Sequence, residues 1–570
     1  MKQWNWSYKC EALNPEKVRE FVNKYGISPI LAVVLLNRGL SNEDSLKNYL
    51  KKPLDSIYNP MLLPNMEEAT ERIKKAVEKK EKITIYGDYD ADGVTSTAIL
   101  YSFLSELGAD VSYYIPDRLT EGYGLNIKAV NKLSKSGTKL IITVDCGIVS
   151  SGEVQLAKAQ GMDVIITDHH TPQEKLPETI VVHPNLPQSE YPFKSLAGVG
   201  VAFKLILGLG LKLGMKSSDV FNKYVAIAAI GTISDIVPLQ DENRVIVDRG
   251  IKALKVTKNF GLTSLMELSG VTRELLTTTS VAFGITPRIN ASGRLSSAND
   301  AVEMLLAKTS EEGYEKALQL DSLNRKRQAV EKEIFDQALS QINADCNFDA
   351  KKVIVLSGED WHEGVIGIVA AKICDKFYKP CIVLSRKNGI ATGSARSIPR
   401  FNIFDALTSC EDLLTKFGGH SQAAGLSLSE SDIDAFSEKI NKYAKSVLKE
   451  EDMIRSIELD CRLNPSDITL KTAESLNILE PLGAENEKPI FSLCNATILN
   501  ITKIGAEGKH LRLVIGGSGK TINAVGFGMG EYADYLKQND IIDVAFNLDI
   551  NDFKGTKSVQ LILKDIKKKL

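Results

Sequence analysis

Residues 83–93, ITIYGDYDADG, run from a short apolar segment into three aspartates on alternate positions, Asp88, Asp90 and Asp92. The apolar residues have the composition of a buried strand, which a glycine then ends. Three carboxylates at this spacing repel one another unless a cation neutralises them. A calcium loop of EF-hand type would need a glutamate at its twelfth position, where this sequence has Ile99. The stretch therefore predicts a metal site at the end of a strand.

Acidic and imidazole side chains also follow later apolar segments. Residues 140–144 lead into Asp145, and residues 164–167 lead into Asp168, His169 and His170. A further aspartate, Asp235, lies within the apolar stretch GTISDIVPL. Any one of these aspartates alone could be a helix cap or a buried polar group with its hydrogen bonds satisfied. Together they indicate one acidic, histidine-containing site.

The spacing of these segments predicts the fold of the first half of the chain. Short apolar runs at 83–86, 111–115, 140–144 and 164–167 alternate with helical patterns at 94–107, 126–136 and 151–160. This alternation predicts a parallel sheet built from βαβ units. In open parallel sheets, ligands bind at the edge where the strands have their carboxyl ends. We therefore expect the chemistry at that edge.

The kinds of ligand indicate which metal is bound. Carboxylate and imidazole groups without thiolates suit Mn²⁺ or Mg²⁺ better than a structural zinc. Two such ions about 4 Å apart can activate a water molecule and stabilise the leaving oxygen of a phosphodiester. The sequence therefore predicts two ions, Mn²⁺ or Mg²⁺.

Composition narrows the class of protein but not its substrate. The 570 residues are 43% hydrophobic and 25% charged, which is typical of a globular protein of several domains. No apolar run approaches the roughly 20 residues that span a bilayer, and the first residues lack the pattern of a secretory signal. We therefore expect a cytoplasmic protein that makes no membrane contact. The net charge of −2 neither indicates nor excludes a nucleic-acid partner.

The rest of the chain changes pattern several times. We expect helices broken by prolines in residues 1–65, and a long charged helix near 300–343 that connects two α/β regions. The second α/β region spans about 350–448. Short alternating strands from 491 onward predict a small all-β barrel.

Several motifs resemble those of the DHH phosphoesterases and, among them, the RecJ family. In the first half these are GDYDADG, PDR (116–118), TVDCG, TDHH, GTISDIVPL and PRINASGRL (287–295). WHEGVIGIVAAKI (361–373), GSARS (393–397) and FGGHSQAAG (417–425) resemble the DHHA1 domain that accompanies DHH domains. PLGAENEKPIF (481–491) and GKHLRL (508–513) resemble an oligonucleotide-binding (OB) barrel, although Glu485 and Glu487 depart from the family's more glycine-rich form.

The resemblance implies a multidomain α/β fold with five regions. These are an N-terminal helical region (1–65), a parallel-sheet DHH domain (66–299), a connector helix (300–345), an α/β DHHA1 domain (346–450) and a C-terminal OB barrel (451–570).

The resemblance also implies roles for the acidic and histidine residues. The metal ligands would be Asp88, Asp90, Asp92, Asp145, His169 and Asp235, with Asp145 bridging the two ions. Asp168 and His170 would be catalytic, either behind the ligands or against a phosphate. Many relatives have histidine where this chain has Asp88, whereas RecJ proteins carry aspartate there. This difference favours RecJ over the branches that act on small nucleotides.

Other residues in these motifs would bind DNA phosphates, because arginine, amide and hydroxyl groups donate to phosphate oxygens. They are Arg118, Arg288, Asn290, Arg294, Ser394, Arg396 and His420. Backbone N–H groups of Gly418 and Gly419 would add to that site. On the barrel, Phe491, Phe527 and Tyr535 are candidates for stacking on bases, although each is typical of a barrel core as well.

The implied activity is a single-stranded-DNA-specific 5′-to-3′ exonuclease that releases 5′-mononucleotides in DNA repair and recombination. A single-strand-binding protein and a RecQ-type helicase are candidate partners, and we expect a monomer. One alternative is a DHH–DHHA1 phosphodiesterase for short oligonucleotides or cyclic dinucleotides, which would usually lack the barrel. The other is an inactive scaffold of the same fold, which would be expected to have lost its metal-binding aspartates.

Overall fold

The structure is a computed structural model that describes residues 4–118, 120–517, 519–553 and 555–569. The chain divides into two compact units. Residues 52–449 together with 483–485 form the central unit. The chain up to residue 51, residues 450–482 and residues from 486 onward form the terminal unit.

The central unit contains two sheets. Its strands are β1 (Ile83–Gly87), β2 (Val111–Tyr114), β3 (Leu140–Val144), β4 (Asp163–Thr167), β5 (Ile180–Val182), β6 (Ile354–Glu359), β7 (Cys381–Lys387), β8 (Ile390–Arg396), β9 (Lys416–Gly419) and β10 (Ala423–Ser429). Its helices are α1 (Met66–Glu78), α2 (Ala91–Glu106), α3 (Ile127–Lys135), α4 (Ser151–Ala159), α5 (Gly198–Lys212), α6 (Ser217–Ser234), α7 (Asp241–Lys255), α8 (Phe260–Leu268), α9 (Thr278–Ser280), α10 (Thr286–Leu295), α11 (Asn299–Leu306), α12 (Ser310–Ala344), α13 (Glu363–Phe377), α14 (Ile403–Thr408) and α15 (Ile433–Val447).

The first sheet is parallel throughout, with strand order β2-β1-β3-β4-β5, as the alternating pattern predicts. Every residue of β1 and β3 is buried, which explains why both read as continuous apolar runs. Because the strands run the same way, the residues that follow β1, β3 and β4 come together at one edge. This edge carries Asp88, Asp145 and Asp168.

The second sheet has the order β9-β10-β8-β7-β6, in which only β6 and β7 pair in parallel. Helix α12 connects the two α/β parts. Its Asp321 accepts a hydrogen bond from Arg288 of α10, and its Gln337 accepts one from the indole of Trp361.

The helical pattern at 300–343 corresponds to two helices and not to one. Helix α11 ends at Leu306, and α12 begins at Ser310. The Thr309 side chain caps α12 by accepting from the backbone N–H of Glu312 at 3.2 Å. Such a cap fixes where a helix begins, and it favours a separate start for the long helix.

The terminal unit consists of short helices and a closed barrel. The helices span Pro15–Tyr25, Pro29–Asn37, Glu43–Lys51 and Leu470–Ser475. The barrel strands are Cys461–Arg462, Phe491–Ile504, His510–Gly517, Lys520–Gly526, Ile541–Phe553 and Thr556–Lys568, and the long strands 491–504 and 541–553 pair to close it. A strand that the sequence did not predict, Asn5–Tyr8, pairs in parallel with Ser456–Leu459.

Two of the prolines in this unit begin helices. Pro15 and Pro29 both lie in the first helical turn, where a missing N–H costs nothing. Across the ranges that the structure describes, no helix combines the length and the apolar character that crossing a membrane requires.

Candidate active site

The loop after β1 places its three aspartates differently. Asp90 caps α2 by accepting from the backbone N–H groups of Asp92 and Gly93, at 2.9 and 3.1 Å. Asp92 lies in the first turn of α2, while Asp88 is buried at the end of the strand. Gly93 must be glycine, because a Cβ there would lie 2.5 Å from the carbonyl oxygen of Asp88. The loop is therefore held tightly against the helix.

The Asp92 carboxylate is fixed by a part of the chain about a hundred residues away. Its two oxygens accept from the backbone N–H groups of Gly198 and Val199, at 2.7 and 2.8 Å. These two N–H groups lie in the first turn of α5, where they have no acceptor within the helix, and a helix N-terminus favours a negative charge. These two N–H groups were not predicted from the sequence. The glycine-rich start of α5, AGVG at 197–200, was the available signal.

The predicted ligands come together in three overlapping groups, each with ligand atoms within 4.8 Å of one another. The groups are Asp88–Asp90–Asp145, Asp92–His169–Asp235 and Asp145–His169–His170. The His169 Nε2 atom lies 3.1 Å from the Asp145 carboxylate and 3.6 Å from that of Asp235. All six residues predicted as ligands are therefore members of one cluster.

Several atoms of this cluster lack the hydrogen bonds that buried polar atoms normally make. Among the described residues, one carboxylate oxygen each of Asp88 and Asp145 is buried without a hydrogen-bond partner, as is Nε2 of His169. Asp145 also has a φ of 60°, a strained backbone conformation for a residue other than glycine. Unsatisfied ligand atoms that face one another are what a bound cation would explain.

The pKa values of the cluster also indicate a bound cation. Burial, and then the charges of neighbouring carboxylates, raise the pKa of Asp92 and that of Asp235 to about 7. The same causes raise the pKa of Asp88 and Asp145 well above the usual value. Burial lowers the pKa of His169, which leaves it neutral and able to ligate. Divalent cations would remove the repulsion, so the residues present fit Mn²⁺ or Mg²⁺.

His170 and Asp168 form a pair beside the ligands. Asp168 is fully buried and accepts from the Nδ1 atom of His170 at 2.7 Å and from the backbone N–H of Ile148 at 2.9 Å. Burial alone would lower the pKa of His170, but the hydrogen bond and charge of Asp168 raise it to about 9. The hydroxyl of Tyr123, a residue that was not predicted from the sequence, lies 3.1 Å from the same Nδ1 atom. Asp168 therefore favours the protonated form of His170 at the edge of the cluster.

A second feature is a cleft of about 700 Å³ lined by residues of both α/β parts of the central unit. Its lining includes Tyr89, Arg118, Arg294, Glu363, Gly367, Ser394, Arg396, Gly418 and Gly419. The Arg118 guanidinium lies over the Tyr89 ring, 4.9 Å from its centre. Arg294 donates to the carbonyl oxygen of Gly364 at 2.9 Å, and Arg396 donates to the Ser394 hydroxyl at 2.9 Å. Tyr89 lies between Asp88 and Asp90 in the chain. The cleft therefore begins beside the loop that follows β1, which we call the metal loop.

The cleft contains three arginines, Arg118, Arg294 and Arg396. Within the described ranges, neither Arg118, Arg294 nor Arg396 forms an ion pair with a carboxylate, although Glu363 is among the lining residues. Burial, followed by the charge of Arg118, lowers the pKa of Arg294 to about 10 and also lowers that of Arg396. Half-buried guanidinium groups that repel one another are suited to binding an anion. We call this feature the arginine cleft.

Three predicted phosphate-binding residues lie elsewhere. Arg288 donates to Asp321 at 2.8 Å and to the carbonyl oxygen of Gly284. The Asn290 side chain accepts from the backbone N–H of Ala91 at 2.8 Å, so it supports the metal loop. The His420 side chain is exposed, and its backbone N–H donates to the carbonyl oxygen of Ala423. None of the three is among the residues that line the arginine cleft.

The three candidate aromatic residues of the barrel differ in their exposure to solvent. Phe491 is fully buried and packs against Phe546 in the barrel core. Phe527 and Tyr535 are 63% and 61% exposed. Only these two of the three candidates are accessible to a base.

Comparison with known proteins identifies the family. The chain matches the model of the DHH family N-terminal domain over residues 82–232, the DHHA1 domain over 350–446 and the RecJ OB domain over 459–565. The single-stranded-DNA-specific exonuclease RecJ of Bacillus subtilis is 41% identical over 561 residues, which cover 98% of this chain and 70% of that protein. The chain belongs to the RecJ family. The RecJ of Haemophilus influenzae is 35% identical over 95% of this chain and 96% of its own length.

Solved RecJ structures share the fold of this chain and contain Mn²⁺ or Mg²⁺. The crystal structure of Thermus thermophilus RecJ with Mn²⁺ has a TM-score of 0.85 and 32% identity, and it covers 100% of this chain and 80% of its own. The complex of the same protein with Mg²⁺ has a TM-score of 0.79 and 31% identity, covering 100% of this chain and 79% of its own. The chain is accordingly a metal-dependent exonuclease that acts on single-stranded DNA. These comparisons confirm the predicted cofactor, Mn²⁺ or Mg²⁺. They also confirm the predicted DHH, DHHA1 and OB domains.

The raised carboxyl pKa values predict that a rise in pH destabilises the metal-free RecJ chain and strengthens its binding of Mn²⁺. A carboxyl whose folded pKa exceeds its unfolded pKa favours the folded state at low pH. The metal-free protein should therefore lose stability as pH rises from about 4 to about 7. Mn²⁺ affinity should rise over the upper part of that range, because protons compete with the metal below pH 7.

Thermal unfolding at a series of pH values, with EDTA or with Mn²⁺, measures both trends. If the metal-free protein instead became more stable as the pH rose to 7, the cluster would not be a set of repelling carboxyls.

Proposed function

We propose that the chain degrades single-stranded DNA from the 5′ end and releases 5′-mononucleotides by two-metal phosphodiester hydrolysis, in DNA repair and recombination. The observation that carries this proposal is the arginine cleft beside the acidic cluster. An anion-binding cleft next to a cation-binding cluster suits a strand end that is held by its phosphate while the next phosphodiester is cleaved.

In this proposal, Asp88, Asp90, Asp92, Asp145, His169 and Asp235 hold the two ions. Asp145 belongs both to the group with Asp88 and to the group with His169, and this supports a bridging role. When bound, the ions would activate water and neutralise charge on the leaving oxygen. The protein's part is to keep its ligands in place, as the N-terminus of α5 does for Asp92.

His170 and Asp168 are proposed as the catalytic pair. His170, kept protonated by Asp168, can donate to a non-bridging phosphate oxygen and neutralise charge that develops there. Asp168 is placed to orient the imidazole, in the way that a carboxylate behind a histidine commonly does. It also accepts from the backbone N–H of His169, so one carboxylate organises both histidines.

The arginine cleft is proposed to bind the 5′-terminal phosphate. Arg118, Arg396 and Ser394 would donate to its oxygens, and Arg294 would add positive charge to the cleft. Gly367 leaves room for this, because a Cβ there would lie 3.0 Å from the Ser394 hydroxyl and 3.2 Å from the Arg396 guanidinium. A cleft that accepts a terminal phosphate makes the 5′ end the starting point.

The remaining expectations are also proposals. We retain the five domains with the boundaries given above, a cytoplasmic monomer, and a single-strand-binding protein and a RecQ-type helicase as partners. Phe527, Tyr535 and neighbouring lysines of the barrel would hold the single strand by stacking and by backbone charge.

A digestion assay with Mn²⁺ tests the proposal. The substrates are the same oligonucleotide labelled at its 5′ or its 3′ end, its duplex and a dinucleotide, with Asp145→Ala as the control variant. We expect the 5′ label to appear at once as mononucleotide, the 3′ label to remain in long products until late, and the variant to release neither. Early loss of the 3′ label would contradict the polarity, and cleavage of the dinucleotide alone would indicate a small-substrate enzyme.

A further inference from the structure

Residues 483–485 lie within the match to the RecJ OB domain, yet they group with the central unit. They belong to the motif PLGAENEKPIF, and their chain neighbours on both sides group with the terminal unit. The contacts of this segment show what holds it. The carbonyl oxygen of Ala484 accepts from the backbone N–H of Leu239 at 2.8 Å. Glu485 accepts from the Gln240 side chain at 3.2 Å.

Leu239 and Gln240 belong to the loop that carries Asp235. Asp235 is the C-cap residue directly after α6, and α7 begins at Asp241. Between them Ile236 has a φ of 58°, a conformation that residues other than glycine adopt only when their surroundings impose it. The surrounding structure must therefore hold this loop in place.

Two contacts fix that other end. The buried Asn243 side chain donates to the carbonyl oxygens of Pro238 at 3.0 Å and of Ser195 at 2.6 Å. Ser195 lies just before the N-terminus of α5, which holds Asp92. The second contact is the hydrogen bond from Leu239 to Ala484. The loop is thus held from one side by the part of the chain that positions Asp92, and from the other by residues 483–485.

Gly483 packs directly on Leu239, which is 3% exposed. A Cβ on Gly483 would lie 2.5 Å from Cδ1 and 2.9 Å from Cγ of Leu239. The φ of Gly483 lies outside the left-handed region that favours glycine. Space, and not backbone conformation, therefore requires a glycine at this position.

We infer that residues 483–485 form a positioning segment for the metal ligand Asp235, and not part of a nucleic-acid-binding surface of the barrel. The inference rests on the proposed role of Asp235 as a ligand. The PLGAENEKPIF motif would then support metal binding, a role that the match to an OB domain does not assign. Displacing the segment should move Leu239 and, through four residues of loop, the Asp235 carboxylate.

Gly483→Ala tests the inference in the full-length chain. The matched control is Gly516→Ala in the barrel, where an added Cβ would lie 3.1 Å from Cδ1 of Leu499. Three quantities are measured: Mn²⁺ binding by paramagnetic resonance of the free ion, the Mn²⁺-induced rise in unfolding temperature, and affinity for an oligonucleotide in EDTA. We expect Gly483→Ala to weaken Mn²⁺ binding about 10-fold, the lower end of the range for residues that support ligands, and to leave DNA affinity unchanged. Gly516→Ala should not weaken Mn²⁺ binding.

Leu239→Ala is the second variant, in case Gly483→Ala alone does not fold. It opens the same contact instead of crowding it, so it should also weaken Mn²⁺ binding. The two changes together should weaken it less than the sum of the single effects, because the added methyl group partly fills the space left by leucine. Strictly additive effects would overturn the inference.

Two other results would also overturn it: unchanged Mn²⁺ binding in Gly483→Ala, or a loss of DNA affinity in EDTA with normal Mn²⁺ binding. Asp235→Asn separates this failure from failure of the proposed function. If Asp235→Asn weakens Mn²⁺ binding and Gly483→Ala does not, only the positioning role is wrong. If Asp235→Asn also leaves Mn²⁺ binding intact, the proposed ligand set is wrong as well.

Discussion

Replacing Asp145 with asparagine should abolish nuclease activity and, in the absence of metal, make the protein more stable. The loss of activity follows because Asp145 is shared between two of the ligand groups. A bound metal supplies several kcal/mol of transition-state stabilisation. Since each 1.36 kcal/mol is a factor of ten in rate, we expect a loss of about a thousand-fold or more.

The gain in stability has a separate cause. Burial and the charges of Asp92, Asp90 and Asp88 raise the pKa of Asp145, so its ionised form is unfavourable in the folded protein at neutral pH. Asparagine removes that charge and keeps the shape of the side chain. The gain should be present at pH 7 and should disappear as the pH falls below about 4, where the carboxyl becomes protonated in the unfolded as well as in the folded protein.

Unfolding temperatures with EDTA and with Mn²⁺, beside single-turnover rates, check both effects. The variant should unfold at a higher temperature than wild type in EDTA, and Mn²⁺ should raise that temperature less than it does in wild type. Asp412→Asn is a matched control, because Asp412 is exposed and pairs with Lys439 far from the cluster in sequence. A variant that loses activity and is less stable in EDTA would show that Asp145 has a structural role instead.

The sheet edge was predictable because it depends on local pattern. An apolar run followed by an aspartate predicts a strand that delivers a carboxylate to the carboxyl end of a parallel sheet. The pairing of β1 with β3 and of β3 with β4 then brings Asp88, Asp145 and His169 together without further information. The glycine-rich start of α5 could have indicated a binding site at Gly198 and Val199, but not that Asp92 is the group they hold, because that contact joins residues more than a hundred positions apart.

The arginines of PRINASGRL show a different limit. Arg288 and Arg294 lie in one motif, and as a motif the sequence gives both the same role. The structure makes this stretch the helix α10, in which six residues correspond to a rotation of about 120° between side chains. Arg288 therefore faces Asp321 of α12, and Arg294 faces the arginine cleft. Assigning the segment to a helix first would have separated the two.

The aromatic residues of the barrel show the same limit, because the sequence alone does not tell which of them face the core. Phe491 begins the strand 491–504 and points into the core, whereas Phe527 follows the end of the strand 520–526 and is exposed. Alternation along a strand decides which side faces the core only once the register is known. Composition alone leaves both residues as candidates for either role.

Replacing Arg396 with alanine should remove the preference for a 5′-phosphate while leaving metal binding intact. A hydrogen bond between charged groups contributes about 1.5–3 kcal/mol. On 5′-phosphorylated single strands, kcat/KM should therefore fall roughly 10- to 150-fold. On the same strand with a 5′-hydroxyl the variant and the wild type should be nearly equal, because the group that Arg396 would bind is missing. Mn²⁺ binding, measured as above, should not change.

Arg288→Ala is the informative control, since both arginines come from motifs typical of this family but have different partners. Arg288 pairs with Asp321, which is 1% exposed, and its loss leaves that carboxylate with Arg325, a partner whose side chain is largely exposed. Breaking a buried ion pair costs about 3–5 kcal/mol, with the lower end expected here because Arg325 remains. Arg288→Ala should therefore lower the unfolding temperature and keep the wild-type ratio of rates on 5′-phosphate and 5′-hydroxyl strands.

The two variants together decide what the arginine cleft does. Arg396 has no carboxylate partner in the described ranges, so its removal relieves repulsion from Arg118 and should cost less stability than the removal of Arg288. If Arg396→Ala slowed cleavage of both strands equally, the cleft would bind the DNA backbone without reading its end. If Arg288→Ala, and not Arg396→Ala, abolished the preference for the phosphate, the 5′ end would be bound at α10 and not in the cleft. Only loss of the preference in Arg396→Ala and its retention in Arg288→Ala fits a terminal phosphate held beside the metal loop.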